Sequence, residues 1–82
     1  MGDRKRAPTI AFAAVLKELR TERGLTQEAL ALEAETERSH ISALERAEKG
    51  PSLGTMLALA RALGISAGEM ISRVEERVRR SR

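Results

Sequence analysis

Cysteine, tryptophan and tyrosine are all missing from these 82 residues, and one phenylalanine, Phe12, is the entire aromatic complement. Without thiols there is neither a disulfide nor a thiolate metal site, a composition suited to a reducing cytoplasm. Without aromatics, the core has to be aliphatic. No apolar run approaches the roughly 20 residues that a membrane span requires. The amino-terminal MGDRKRAP has no apolar segment of the kind a signal peptide carries. Catalytic machinery is also lacking: no paired carboxylates, nucleophile–base pair or glycine-rich phosphate loop stands at a useful spacing. His40 is the only histidine, with no second ligand spaced to share a metal ion. The expectation is a non-enzyme with no metal and no cofactor.

What is present favours helix. Ten leucines and thirteen alanines stand against three valines and four isoleucines, a balance weighted away from strand. A chain this short makes one small domain that hides only about 60% of its unfolded surface. The net charge of +3 is unevenly placed. Residues 1–6 carry a net +2 and residues 73–82 a net +3, while residues 7–72 hold seven Lys/Arg against nine Glu. The basic excess therefore lies at the two ends, and the body between them is slightly acidic. Alone, this is a weak pointer to nucleic acid, because basic termini are commonly just solvated.

Periodicity divides the chain into five helices. Pro8-Thr9 reads as the start of the first, with Thr9 as N-cap and Phe12, Val15, Leu16 and Leu19 on one face. Gly24 is placed to end it in the left-handed conformation. Thr26 caps a second helix with apolar positions Ala29, Leu30, Leu32 and Ala34. After Glu35-Thr36-Glu37, a third helix runs from Glu37 to Arg46 with Ile41 and Leu44 inward. AEKGP, residues 47–51, is a loop. Ser52 caps a fourth helix with a broad apolar face of Leu53, Met56, Leu57, Leu59, Ala60 and Leu63, stopped by Gly64. Ser66-Ala-Gly-Glu69 is a capping-box pattern that opens a fifth helix, with Met70, Ile71, Val74 and Val78 on one side. The expected architecture is an all-α, five-helix domain over residues 9–78, between a flexible basic N-terminus (1–8) and a basic C-terminal tail (79–82).

The third helix has an unusual outer face. Opposite Ile41 and Leu44 fall Arg38, Ser39, Ser42, Ala43 and Arg46, short side chains with an arginine at either end. Small residues let a helix seat in a groove about 12 Å wide, and an arginine can contact guanine O6 and N7 together. By pattern alone a solvated helix face remains the commoner explanation. His40 is equally a groove contact or a plain surface residue. Ala43 is either a helix former or a methyl that meets a thymine methyl, and Arg46 can merely complement the helix's negative end.

The run LTQEALALEAETERSHISALERAEKGPSLGTMLALARALGIS, Leu25 to Ser66, resembles the helix-turn-helix of the XRE family, the Cro and cI-like phage repressors and their bacterial relatives. It follows that family's pattern without a gap, and upstream Leu19, Arg20, Arg23 and Gly24 match its L-R-x-x-R-G. The resemblance implies a lambda-repressor-like fold, a helix-turn-helix over residues 26–46, and double-stranded DNA as partner. It implies that Gln27 and the amides around it bind a phosphate at the start of the second helix. It further implies that Arg38, Ser39, His40 and Ala43 read base edges, that Ser42 and Arg46 lie nearer the phosphates, and that Arg20 and Glu45 form a buried salt bridge between the first and third helices.

The chain departs from the family pattern at the corner, where Glu35 replaces a turn glycine and Glu37 replaces a Ser/Asp cap. At Glu35 a positive φ would cost about 1 kcal/mol. Members of the family form two-fold dimers, and here the candidate interface is Leu57 and Arg61 with Val74 and Val78. The short chain resembles the controller proteins of restriction–modification systems and small prophage repressors. The competing expectation is an antitoxin or other protein-interaction module of the same fold, with a toxin or similar protein as partner.

Overall fold

The computed structural model describes residues 2–81, with side chains from residue 6 onward. Five helices follow one another: α1 (Gly2–Glu22), α2 (Gln27–Glu33), α3 (Arg38–Glu45), α4 (Leu53–Leu63) and α5 (Ala67–Arg80). No strand occurs among the described residues. Helix α1 packs along α5 on one side and meets α3 on the other, while α2 bridges α3 and α4. Their shared core is aliphatic apart from Phe12. Val15, Leu16 and Leu19 of α1 meet Leu30, Ala31 and Ala34 of α2, Ile41 and Leu44 of α3, Leu59, Ala60 and Leu63 of α4, and Met70 of α5.

The termini depart from expectation. Helix α1 does not begin at Thr9; it begins at Gly2 and carries Pro8 inside it. A proline deprives the carbonyl four residues back of its partner, and here that carbonyl belongs to the first turn of the helix. Two contacts favour the added turns. Arg6 donates to the carbonyl of Ala47 at 3.0 Å, and Pro8 lies beside Ile71, Val74 and Val78 of α5. The supposed flexible segment 1–8 is thus helical from Gly2 on, with Met1 outside the described residues. At the other end α5 continues to Arg80, so residues 79 and 80 are helix rather than tail, and Arg82 lies outside the described residues.

Apart from Thr9, side-chain caps fall where the sequence puts them. The hydroxyls of Thr26, Ser52 and Ser66 accept from the amides of Ala29, Thr55 and Glu69. The Ser66 capping box is completed on that side, whereas the carboxylate of Glu69 lies 3.5 Å from Arg73. Of the apolar positions assigned to α2 and α4, three point out. Leu32 is 80% exposed, and Leu53 and Leu57 are exposed on α4. The buried stripe of α4 is the narrower Leu59, Ala60, Ala62 and Leu63.

Four helix ends close in the same way. In each, a left-handed residue is followed by an amide that bonds back five residues: Leu25 to Arg20, Thr36 to Ala31, Glu48 to Ala43 and Ile65 to Ala60, all between 2.8 and 3.0 Å. This is the Schellman arrangement, which satisfies carbonyls that the helix leaves orphaned. Gly24 and Gly64 supply the left-handed residue at two of the ends, with φ +70° and +74°, but Glu35 (+58°) and Ala47 (+59°) supply it at the ends of α2 and α3. For an L-residue that conformation is unfavourable by roughly 1–2 kcal/mol, offset in part by the greater freedom glycine loses on folding. Glu35→Gly and Ala47→Gly are each expected to stabilise the fold by about 1 kcal/mol, raising the melting temperature by several degrees. Thermal unfolding followed by circular dichroism measures this, and an unchanged or lowered midpoint contradicts it.

Candidate nucleic-acid interface

Helices α2 and α3 form the two arms of a tight corner, and one ionic cluster fixes both to α1. Arg20, near the end of α1, donates from Nε to Glu45 Oε2 at 2.6 Å and from Nη2 to Glu45 Oε1 at 3.0 Å. Its Nη1 donates to the carbonyl of Leu25 at 2.8 Å, holding the α1–α2 turn as well. The two side chains are only 12% and 4% exposed. The hydrogen bond to Glu45 holds the Arg20 guanidinium above its ordinary pKa, against the burial that pulls it down. Gln27 completes the cluster by donating from Nε2 to Glu45 Oε1 at 3.0 Å. The first residue of α2 is therefore tied to the last residue of α3. Its amide donor is engaged inside the protein, which the sequence did not indicate.

Across the corner, the backbone turns at left-handed Glu35, and α3 starts at Arg38 with Glu37 as N-cap. The cap is extended (φ −104°, ψ 150°) and makes no side-chain cap bond. Ile41 and Leu44 are fully buried and fix which face of α3 is turned out. Arg38 and Ser39 are exposed, Ser42 and Ala43 half-buried, and Arg46 exposed, so these five share the outer side. His40 sits on the flank of that face, half-buried, with Nδ1 2.9 Å from Thr36 Oγ1. It is bonded across the corner while staying half exposed beside the outer face.

Arg46 is more constrained than its exposure suggests. It is the C-cap residue of α3, and its Nη1 donates back to Ser42 Oγ. Its Nε donates to Glu48 Oε2 at 2.7 Å. Glu48, absent from the sequence-derived set, is brought back by left-handed Ala47. No periodic rule connects residues two apart across a helix end, so only the conformation of Ala47 reveals the pair. The hydrogen bond from Arg46, supported by the charges of Arg46 and Lys49, holds the Glu48 carboxyl below its ordinary range. Among the described residues Arg38 makes no ion pair, unlike Arg46 at the other end of the same face.

The candidate interface residues are divided. Leu57 and Arg61 are exposed on α4, while Val74 and Val78 are half-buried. The two valines line a shallow groove of about 410 Å³ with Pro8, Ile71, Glu75 and Arg79. Met70 is buried in the core, but Ile71 remains 42% exposed. The basic carboxyl-terminal helix is largely neutralised. Arg77 pairs with Glu18, Arg73 lies 3.8 Å from Glu22, and Arg79 is 3.0 Å from Glu76.

This geometry can be set beside known proteins. The helix-turn-helix family profile matches residues 16–70, spanning α2, α3 and α4 with the adjoining ends of α1 and α5. The chain belongs to the helix-turn-helix family. Over 58 residues it is 38% identical to the HTH-type transcriptional regulator y4dJ of Sinorhizobium fredii, covering 71% of this chain and 75% of that protein. It is 43% identical over 56 residues to the immunity repressor protein of Bacillus phage phi105, a match covering 68% of this chain and 39% of the repressor. Its fold superposes on the restriction-modification controller protein C.AhdI of Aeromonas hydrophila with a TM-score of 0.73 and 40% identity, covering 76% of this chain and 94% of that one. As a helix-turn-helix protein, the chain keeps its XRE-type corner despite Glu35 and Glu37.

Two measurements probe the cluster and the pair. Glu45→Ala strands the buried Arg20 guanidinium and frees Gln27, and is expected to destabilise the fold by about 3–5 kcal/mol in urea unfolding. The Glu48 carboxyl has a lower pKa folded than unfolded. The stability it contributes is therefore present above about pH 4.3, the unfolded value, and is lost as pH falls through the folded one. By NMR titration, its midpoint is expected to lie below that of an ordinary glutamate and to move upward in Arg46→Ala.

Proposed function

We propose that this helix-turn-helix protein is a transcriptional regulator that binds double-stranded DNA sequence-specifically, as a homodimer on a pseudo-palindromic operator. The observation that carries this reading is the outer face of α3, where unpaired Arg38 stands beside Ser39, Ser42 and Ala43 on a helix locked from behind. The small residues admit the helix into the major groove. Arg38, at its amino-terminal end, has the donor geometry for one guanine, and Ser39 and Ala43 meet neighbouring base edges. His40, on the flank, contacts the edge of the groove. Ser42 and Arg46 lie toward the phosphates at the other end. Gln27 takes part chiefly by fixing the start of α2, whose amides face the opposite phosphate strand.

One α3 reads too few base pairs to be selective. Two copies about 34 Å apart, one helical turn of DNA, read a palindrome. Leu57 and Arg61 of α4 and Val74 and Val78 of α5 are the proposed pairing surface, in support of which Leu57 and Arg61 are exposed and the two valines only half-buried. The 40% identity to a restriction-modification controller over nearly the whole of that chain favours a controller-type role for this protein, acting in the cytoplasm on the nucleoid. No catalytic step is proposed.

Selection of bound sites from random double-stranded DNA, with stoichiometry measured on the winning site, tests the whole reading. A palindrome bound by two chains is expected. Failure to enrich any site, together with co-purification of a protein partner, points to the antitoxin-like alternative. On the selected site Arg38→Ala is expected to cost about 1–3 kcal/mol and to relax preference at one base position. An equal loss on random DNA identifies Arg38 as a phosphate contact instead.

A further inference from the structure

The Arg46–Glu48 pair is an arrangement that the DNA-reading face does not require. Helix α3 spans eight residues, about 12 Å along its axis, close to the width of the major groove. With Arg38 and Ser39 at the bases, the far end of the same face arrives at the groove wall, where the phosphates run. Arg46 stands there, 59% exposed, on the outer side of the helix. Its guanidinium is already occupied by a carboxylate, with Glu48 Oε2 2.7 Å from Nε and Ser42 Oγ taking Nη1. A carboxylate offers a guanidinium the same kind of anionic oxygen that a phosphate does.

Glu48 is also held in place by the backbone. Its amide bonds to the carbonyl of Ala43 at 3.0 Å, and left-handed Ala47, whose carbonyl accepts from Arg6, turns the chain back toward α3. Two residues on, Gly50 lies against Thr9, an ideal Cβ built there coming 3.4 Å from Thr9 Oγ1. The loop is therefore bonded to α1 before Glu48 and passes close to it after Glu48. The pair is a solvent-exposed one of little net worth to the fold, yet it engages the arginine's Nε at the edge of the reading face.

We infer that Glu48 acts as an internal substitute for a DNA phosphate, holding Arg46 in the free protein so that a backbone phosphate has to displace it when the protein docks. This rests on the DNA-binding reading above. The exchange swaps one ion pair for another, so Arg46 adds little net affinity in the natural protein. The carboxylate also repels phosphate, and its effect is the same on every sequence, because a phosphate contact carries no base information. Glu48 thereby holds down sequence-independent adhesion and leaves discrimination to Arg38 and its neighbours.

The test measures affinity against salt for the natural protein, Glu48→Gln, Arg46→Ala and the double variant, on the selected site and on random DNA, with circular dichroism checking the fold of each. Glu48→Gln is expected to bind both DNAs about threefold to tenfold more tightly at 50 mM salt. The log–log salt slope should be steeper by about 0.9, the signature of one more neutralised phosphate. Arg46→Ala is expected to weaken binding more in the Glu48→Gln background than in the natural protein. If Glu48→Gln leaves both affinity and slope unchanged while the natural protein still binds its site, the substitution idea is wrong and the DNA-binding reading stands. A gain confined to the selected site also overturns it, because Arg46 would then read a base. Absence of DNA binding by the natural protein overturns both.

Discussion

The bidentate pair between Arg20 and Glu45 is the constraint on which the reading geometry depends. Two buried opposite charges stabilise a fold weakly when compared with apolar packing, but they are directional, and apolar packing is not. Ile41 and Leu44 determine that α3 lies against the core without fixing its rotation or slide to within an ångström. The fork of Arg20 does so, with two donors on Glu45 and a third on the carbonyl of Leu25. Gln27 extends the same node to α2. One carboxylate thus sets the angle between both arms of the corner and the helix behind them.

Arginines of α1 and of the turn that follows it recur at the ends of other elements. Arg6 reaches the carbonyl of Ala47 after α3, and Arg23 reaches the carbonyl of Leu63 at the end of α4. Cations are favoured at the negative ends of helices, and each of these side chains crosses between elements distant in sequence. Helix α1 therefore serves as a spine that fixes where its neighbours stop. Such bonds also bear on the two left-handed positions held by non-glycine residues, from Arg6 at Ala47 and from the local backbone at Glu35. At Ala47 and Glu35 the neighbouring bonds over-determine the turn, and local strain persists because the surroundings hold it.

Much of this was legible in the sequence because it rests on local rules. Thr26, Ser52 and Ser66 are caps by residue type, Gly24 and Gly64 are stops by conformational freedom, and Ile41 and Leu44 are inward by period. The helical start before Pro8 was not legible. A proline is a local stop signal, and what outweighed it were contacts to residues more than 40 positions away. Leu53 satisfied helical period yet faces outward, because a helix on the rim of so small a core buries only a narrow stripe. The link from Arg20 to Glu45 came from family resemblance; no spacing rule spans 25 residues. The engagement of Gln27 and of Arg46 by glutamates escaped both routes, since a polar residue at a predicted contact position carries no mark of what already holds it.

The paired arginines of α5 change how the molecule looks from a distance. A sequence pI near 10.2 suggests a polycation that clings to any acidic polymer, but Arg73, Arg77 and Arg79 face glutamates a few ångströms away. Beyond a Debye length of about 8 Å in physiological salt such pairs look nearly neutral. Little of the far field then pulls the back of the protein onto a polyanion. The charge that the sequence places toward its carboxyl-terminal end is thus met within the molecule, and the pI reports composition rather than an exposed cationic face.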